Sequence, residues 1–315
     1  MEYKIVTDGS CDLPPAFCQE KDVCVVPFYV SFDSETYQKE IAEMPIRDFY
    51  EQMVSDPATF PKSSMPSVQD YVDVFLPIVR EGKAVICICI TTKFSGSYQS
   101  AMNAKEMVLE SFPDARITVM DSTINTVLQG IFVIEAVRMQ EAGLPYDTVL
   151  ERLEAIKSTG RIFFTVGNID YLKHGGRIGK LAGIAGSMLG IRPLITLKEG
   201  EIFPSGLARS RKKSLEKVYE LLWQYLQEVH AVSGEYHICV GYGYDLEEAE
   251  EFRKGAVSYL NEKGYAITDA ELQKYQIGAT ISVHTGPYPL GFGVIKKACD
   301  METRKENERI WQDIH

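Results

Sequence analysis

The sequence predicts an α/β fold in which an N-terminal parallel-sheet domain is joined to a C-terminal mixed α+β domain. At 315 residues the chain exceeds the usual size of one hydrophobic core, so two domains are expected. In the first half, short β-rich runs alternate with longer helical patterns, which is typical of a parallel sheet with crossover helices. In the second half, two apolar runs flank the turn KEGE, which indicates an antiparallel hairpin. We place the boundary near residue 160, giving domains 1–160 and 161–315.

Four strands are predicted for the N-terminal sheet. YKIVT opens the series at residues 3–7, and residues 23–32 follow as a strand that Pro27 bends or restricts to a sheet edge. Residues 84–91, AVICICIT, are apolar without alternation, as expected for a strand that is buried on both faces. The fourth candidate is RITVMDS, residues 116–122.

Helices are predicted between and after these strands. Residues 67–82 begin with Ser67 as a candidate N-cap and carry Asp70 three positions later, which resembles a capping box. Apolar residues at three- and four-residue spacing predict helices within residues 96–112, 126–143 and 146–160.

The second half predicts more strands and fewer helices. The strand candidates are RIFFTV (161–166), RPLITL (192–197), EIFPSGLA (201–208), YHICVGYGY (236–244), YAITDAEL (265–272) and GATISVHTG (278–286). The helix candidates are residues 212–229 and 246–264, together with the charged tail 300–315 as a surface helix.

Composition excludes several functional classes. A formal net charge of -11 and a pI near 5.1 argue against a nucleic-acid binder, which needs clustered Lys and Arg. The seven cysteines and five histidines lack zinc-site spacing, so no metal is expected, and the cysteines are interpreted as reduced thiols. No signal peptide or long apolar segment is apparent, which predicts a cytoplasmic protein.

Hydroxyl-bearing segments occur where strands of the first half should end, at residues 7–12, 61–67, 91–97 and 121–125. In open parallel sheets ligands bind beyond the carboxyl ends of the strands, so these segments could share one crevice. A helix that begins near Gly96 would direct free N–H groups at that crevice, and Ser95 would add a hydroxyl. The crevice would suit an anion such as a carboxylate. The alternative is that these residues are ordinary helix N-caps.

His284 is predicted at the end of a strand, at the mouth of a loop, where its imidazole could donate to a carboxylate. Histidines are also common as purely structural residues. An acyl ester hydrolase with Ser95 as nucleophile and His284 as base is a second hypothesis. The segment KFSGS departs from the usual nucleophile elbow, because Lys93 replaces the first glycine.

Two further segments allow both structural and functional interpretations. Residues 171–195 contain Gly-Gly-Arg and a run of small apolar residues. They do not match the Walker pattern, so they do not predict nucleotide binding. The small residues allow either close packing or a channel wall that would suit an acyl chain. Residues 208–214 gather four basic side chains, which form either a solvated face or a contact for a phosphate or an acidic partner.

In this order, the segments KIVTDGSCDLP, PKSSMPS, ITTKFSGSYQSA, YLKHGGRIGKLAG, IRPLITLKEGEI and HTGP resemble the DegV family over nearly the whole chain. The resemblance implies a two-domain α/β fold that encloses one long-chain fatty acid between the domains. It also implies the role of some members, which bind the fatty acid for a bacterial fatty acid kinase. These members present the carboxylate to a separate kinase subunit, which makes acyl phosphate from ATP.

The resemblance also implies site residues. The carboxylate would be bound by Ser63, Ser95, the Gly96 amide and His284, and Arg177 and Arg209 would contact ligand or partner near the head group. The chain departs from the family pattern at several positions: glycine at 9, serine at 63 and methionine at 65 replace the more usual serine, threonine and glutamine, and HTGPYP replaces HTGPG. We therefore expect a lipid-binding carrier that is not itself an enzyme, has no cofactor and can make transient contact with a membrane surface.

Overall fold

The computed structural model of the protein describes residues 2–183 and 191–298. Within these residues the strands are β1 (Tyr3–Asp8), β2 (Cys24–Val26), β3 (Tyr29–Ser31), β4 (Gln38–Lys39), β5 (Lys62–Ser64), β6 (Ala84–Cys89), β7 (Ile117–Asp121), β8 (Arg161–Thr165), β9 (Arg192–Lys198), β10 (Glu201–Ala208), β11 (Tyr236–Tyr242), β12 (Gln273–Gln276) and β13 (Leu290–Lys296). The helices in the same ranges are α1 (Pro15–Glu20), α2 (Ile46–Ser55), α3 (Val68–Arg80), α4 (Ser97–Ser111), α5 (Thr126–Glu141), α6 (Tyr146–Lys157), α7 (Asp170–His174), α8 (Arg211–Glu228), α9 (Leu246–Glu262) and α10 (Ala279–Thr285). Short 3-10 helices cover Gly9–Cys11 and Gly179–Gly183.

The first sheet is parallel and contains β2, β1, β6 and β7 in that order. Strand β6 is buried along its whole length, as its unbroken apolar run predicts. Alternate residues of the sheet face opposite ways: Ile86 packs in the core that contains α5, and Val85 packs in the core that contains α3 and α4. The predicted parallel sheet with helices on both faces is therefore confirmed.

Residues 23–32 form two strands rather than one. Strand β2 ends at Val26 in the first sheet, and β3 begins at Tyr29 in a separate small sheet. Pro27 lies between them, where its missing N–H interrupts no ladder. The prediction of a sheet edge at this point is correct, because β2 is the edge strand of the first sheet.

The small sheet is antiparallel, with the order β4, β3, β5. Strand β5 consists only of Lys62, Ser63 and Ser64, and Ser63 lies opposite Val30 of β3. A strand this short and polar carries no periodic apolar signal, and the sequence predicts none here. Its pairing with β3 gives Ser63 a fixed position.

The second large sheet is mixed, with the order β10, β9, β8, β13, β11, β12. Strands β9 and β10 form the predicted hairpin, in which Lys198 pairs with Glu201. The two turn residues, Glu199 and Gly200, both have positive φ, as a tight hairpin turn of this type requires. The C-terminal part is therefore mixed, as predicted.

Two strand predictions in this part are wrong. Residues 265–272 precede the actual strand β12, and residues 278–286 contain helix α10. The Ile, Val and Thr residues of this second segment favour strands by propensity, but contacts with α7 and the small sheet stabilise a helix instead. Extended Gly278 precedes α10, and Gly286 ends it with a φ of 75°.

The helix predictions of the first half are confirmed. Ser67 and Asp70 form the expected capping box at the start of α3. Helix α5 is buried on nearly all sides, because it packs against β1 of the first sheet and against β11 and β13 of the second. This helix therefore links the two large sheets through one continuous hydrophobic core.

Some predictions concern features outside the sheets. The predicted tail helix at residues 300–315 lies outside the described residues. In residues 2–183 and 191–298, no helix combines the length and apolarity needed to cross a bilayer. The cysteines in these ranges are free thiols.

A buried carboxylate holds α5 to the end of the second sheet. One Glu135 oxygen lies 2.7 Å from His237 Nε2 of β11 and 3.0 Å from Arg138 Nε, and the other accepts from the Ala298 amide at 2.8 Å. Arg138 in turn donates to the Ala298 carbonyl at 2.7 Å. Burial opposes ionisation of Glu135, but hydrogen bonds from His237, Arg138 and the Ala298 amide lower its pKa to about 2.

Replacing this carboxylate should destabilise the fold. Glu135→Gln should lower the free energy of unfolding by roughly 1 to 3 kcal/mol at neutral pH, measured by urea denaturation. The loss should shrink as the pH falls from 4.5 towards 2, because protonation of the native carboxyl then removes the same interaction. Glu154→Gln, which breaks an exposed pair with Lys157, is the control and should cost less than about 1 kcal/mol. Equal effects of the two variants would show that Glu135 does not stabilise the fold through its buried hydrogen bonds.

Candidate functional site

A large apolar cavity lies between the strand ends of the first sheet and one face of the second. It encloses about 1050 Å³ of space that protein atoms do not occupy, part of it open to solvent. The apolar side chains that line it come from residues on both sides of position 160: Phe28, Met65, Ile90, Phe94, Val127, Ile162, Phe164, Leu172, Leu197, Ile202, Ile277, Ile281, Pro289, Leu290 and Phe292.

Five of the six predicted site residues line this cavity: Ser63, Ser95, Gly96, Arg177 and His284. They come from different elements, namely β5, the start of α4, the segment after α7, and α10. Ser63 and Ser95 are partly buried, whereas Gly96 and Arg177 are exposed. These residues thus form a polar group that solvent can reach.

The start of α4 contributes hydrogen-bond donors. The helix follows β6 after a short loop, with Gly96 as the N-cap, so its first N–H groups have no intrahelical partner. The Ser97 amide donates to Ser95 Oγ at 3.2 Å, which leaves the Ser95 hydroxyl proton free to donate elsewhere. Gly96 also permits close packing, because a Cβ there would lie 2.7 Å from Met65 Sδ.

His284 lies in the last turn of α10 rather than at the end of a strand, which corrects the sequence prediction. Its Nε2 is 3.2 Å from Ser63 Oγ. Its Nδ1 makes no hydrogen bond of normal geometry within the described residues and packs on Gly175, where a Cβ would lie 2.1 Å from Nδ1. Burial lowers the pKa of His284 to about 4, helped by the positive charge of Arg177 and partly opposed by the Gly175 backbone.

Arg177 connects two segments at this end of the cavity. Its Nε donates to the Phe94 carbonyl at 3.0 Å, just before α4, and its guanidinium also donates to the Gly175 carbonyl at 2.8 Å. The guanidinium is therefore held near Ser95 and His284, where it can attract an anion.

Arg209 does not join this group. It is exposed in the bend between β10 and α8 and is absent from the cavity lining. The predicted contact of Arg209 with ligand or partner stays a prediction. Its neighbour Ser210 caps α8 by accepting from the Lys213 amide.

The four hydroxyl-bearing segments do not contribute equally. Residues in 61–67, 91–97 and 121–125 line the cavity, whereas none of residues 7–12 does, so this part of the crevice prediction is wrong. Strand β1 is central in its sheet, and Asp8 at its end is covered by neighbouring groups.

A second set of polar residues lines the cavity and was not predicted: Thr126, Thr280 and Thr285. Thr126 has a φ of 49°, which is unusual for a β-branched residue, and its hydroxyl donates to buried Asp12 at 2.6 Å. The Thr280 amide donates to buried Glu40 at 3.1 Å. The sequence signal for these threonines is weak, because the carboxylate partners of Thr126 and Thr280 are distant in the chain.

The residues required for a hydrolase do not form a catalytic arrangement. The hydrogen-bonding partner of His284 Nε2 is Ser63, and Ser95 Oγ instead accepts from the Ser97 amide. Among the described residues, no carboxylate bonds Nδ1 to orient the ring, and a pKa near 4 makes the imidazole a weak base at neutral pH. No group of metal-ligating side chains was found in the described ranges either.

His284 should remain neutral at physiological pH in the ligand-free protein. In an NMR titration, its imidazole signals should change near pH 4 rather than near the ordinary value of 6.5. In the unfolded chain, His284 takes up a proton near pH 6.5, whereas in the folded protein it does so only near pH 4. The free energy of unfolding should therefore decrease as the pH falls from 6.5 to 4. His284→Asn should remove that part of the pH dependence in urea denaturation. A midpoint at 6.5 would show that the ring is not desolvated.

Comparison with known proteins identifies relatives along nearly the whole chain. A family model described as "Uncharacterised protein, DegV family" matches residues 2–297. A DegV domain-containing protein of Halalkalibacterium halodurans is 30% identical over 288 residues, which cover 91% of this chain and 96% of that protein. One from Clostridium perfringens is 27% identical over 298 residues, covering 95% of this chain and 100% of the relative.

Solved structures agree with this relationship. A fatty acid (stearic acid)-binding protein from Eubacterium ventriosum is 46% identical, with a TM-score of 0.88, covering 94% of this chain and 99% of that one. A DegV family protein from Thermus thermophilus, described by its fatty acid binding, is 28% identical, with a TM-score of 0.82, covering 94% and 100%. Because the family model matches nearly all of its residues, this protein belongs to the DegV family.

Proposed function

We propose that this protein binds one long-chain fatty acid in its cavity and presents the carboxylate to a separate fatty acid kinase subunit. The observation that carries the proposal is the continuity of an apolar cavity with a partly exposed polar group formed by Ser63, Ser95, Gly96, Arg177 and His284. The cavity would lie between domains 1–160 and 161–315, in agreement with a lining drawn from both parts. We place the protein in the cytoplasm, without a cofactor.

The polar residues suit a carboxylate. An anion taken from water must regain hydrogen-bond donors, or its burial costs several kcal/mol. Here the donors would be the hydroxyls of Ser63 and Ser95, the free amides at the start of α4, and the guanidinium of Arg177. Neutral His284 can donate from Nε2, and a carboxylate beside it would favour protonation of the ring.

The apolar walls suit an acyl chain. Each buried CH₂ group contributes ~0.8 kcal/mol, so a long chain can supply most of the affinity. The protein from Eubacterium ventriosum, described as stearic acid-binding, shares 46% identity with this chain. This similarity supports a ligand of the same class but does not define its length or unsaturation.

Presentation to a partner is supported by the exposure of the polar end. Gly96 and Arg177 are exposed, and Met65 is 46% exposed beside Gly96. A carboxylate bound there would face solvent, where a kinase subunit could reach it. Exposed Arg209 would then serve as a contact for the partner rather than for the ligand, and transient membrane-surface contact would allow loading of the fatty acid.

Protein purified from cells should carry its ligand. Native mass spectrometry under gentle conditions should detect a complex whose extra mass equals one fatty acid, and organic extraction should release that acid. Heating with excess serum albumin to remove lipid provides a matched empty sample. Recovery of only empty protein, with no uptake of added stearic acid, would contradict the proposed function.

Loss of either serine hydroxyl should weaken binding. Ser63→Ala and Ser95→Ala should each reduce the affinity for a long-chain fatty acid by roughly 1 to 3 kcal/mol, because the carboxylate then lacks one donor. Isothermal titration calorimetry provides the measurement. Ser64→Ala is the matched control, since Ser64 is exposed, neighbours Ser63 and does not line the cavity. Unchanged affinity in both test variants would exclude the proposed orientation of the ligand.

A further inference from the structure

Asp8 is a buried carboxylate close behind the polar end of the cavity. It is the last residue of β1, is fully buried, and does not line the cavity. Burial raises the pKa of its carboxyl, and hydrogen bonds from Ser10, Gln129, Ile90 and Ser97 oppose that rise. Burying a carboxylate costs free energy unless its oxygens accept hydrogen bonds, and Asp8 is surrounded by four donors.

One oxygen of Asp8 binds two residues of the segment that leads into α4. Asp8 Oδ2 accepts from the Ile90 amide at 2.9 Å and from Ser97 Oγ at 2.7 Å. Ile90 is the first residue after β6, and Ser97 is the first residue of α4. One oxygen therefore binds both ends of the segment 90–97, which carries Ser95 and Gly96.

The other oxygen fixes the carboxylate itself. Asp8 Oδ1 lies 2.6 Å from Ser10 Oγ and accepts from Gln129 Nε2 of α5 at 2.9 Å. These contacts hold the carboxyl plane from the side of the sheet opposite to α4. The orientation of Oδ2 is thereby set in part by Gln129 of α5, a residue that does not line the cavity.

Ser97 transmits this orientation to the cavity. Its hydroxyl has one proton, which it donates to Asp8, so the hydroxyl of Tyr71, 2.6 Å away, must donate to Ser97. With its side chain held from two sides, Ser97 directs its backbone amide at Ser95 Oγ, 3.2 Å away. That bond leaves the Ser95 proton as the donor available to a ligand.

We propose that Asp8 is a positioning residue for the carboxylate site and acts through Ser97 without touching the ligand. This inference rests on the proposed function. Its consequence is specific: the network sets the recognition of the acidic head group and has no part in contacts with the acyl chain.

Binding of an acid and of its neutral ester separates these roles. Stearic acid and methyl stearate contain the same acyl chain, and only the acid requires the oriented donors. Dissociation constants would be measured by partitioning of radiolabelled lipid from phosphatidylcholine vesicles. Ser97→Ala and Asp8→Ala should each weaken stearic acid binding about tenfold and methyl stearate binding less than about twofold, since one oriented donor is lost.

Two further variants complete the test. Asp8→Asn keeps an oxygen that can accept from Ile90 and Ser97, and should bind stearic acid within about threefold of wild type. Thr118 lies on strand β7, away from the cavity, and its hydroxyl accepts from Tyr146 of α6. Thr118→Val removes this comparable hydrogen bond and is the matched control. It should not change the ratio of acid to ester affinity.

The outcomes are distinguishable. If wild-type protein binds neither lipid, the proposed function fails. If wild type prefers the acid and Ser97→Ala keeps that preference, or loses affinity for acid and ester equally, the positioning role is overturned while the proposed function stands. If Asp8→Ala does not fold, the affinities of Ser97→Ala and Asp8→Asn for acid and ester still test the positioning role of Asp8.

Discussion

Close packing of helix α5 between the two large sheets is the constraint on which the cavity depends. On one side, a Cβ at Gly241 of β11 would lie 3.0 Å from Val127 Cγ2. On the other side, a Cβ at Gly130 would lie 2.5 Å from the Cys11 carbonyl oxygen. Side chains at either glycine would push the helix away from one of its neighbours. Held in this position, the N-terminal end of α5 contributes Val127 to the cavity wall.

The polar end of the cavity contains more neutral donors than charges. Hydroxyls, amides and a neutral imidazole surround a single described cation in the lining, Arg177. Since this end is partly exposed, an ion pair there would be weakened by solvent. Hydrogen bonds can still orient a carboxylate, while the apolar walls supply affinity. Under the proposed function, orientation and affinity would therefore come from different parts of the same cavity.

Buried acids join elements that are distant in the chain. Asp12 accepts from Thr126 of α5, and Glu40 accepts from the Thr280 amide of α10. Burial raises the pKa of Glu40 to about 7 and that of Asp12 well above its ordinary value. Asp8 is better satisfied, because four donors surround it. These contacts hold α5 against the segment that follows β1 and α10 against the segment that follows β4, and both helices line the cavity.

The sequence alone predicted the parallel sheet, its main helices and five residues that line the candidate site. Unbroken apolar runs, the capping box at Ser67 and the hairpin turn are local signals, and local sequence carries them. The ordered motifs identified Ser63, Ser95, Gly96, Arg177 and His284 together, although their spacing gave no distances. Only the tertiary structure decided that residues 278–286 form a helix, because its burial against α7 and the small sheet outweighs β-propensity. It alone brought Ser63 to His284 and placed Asp8 behind Ser97, since these contacts join residues 221 and 89 positions apart in the chain.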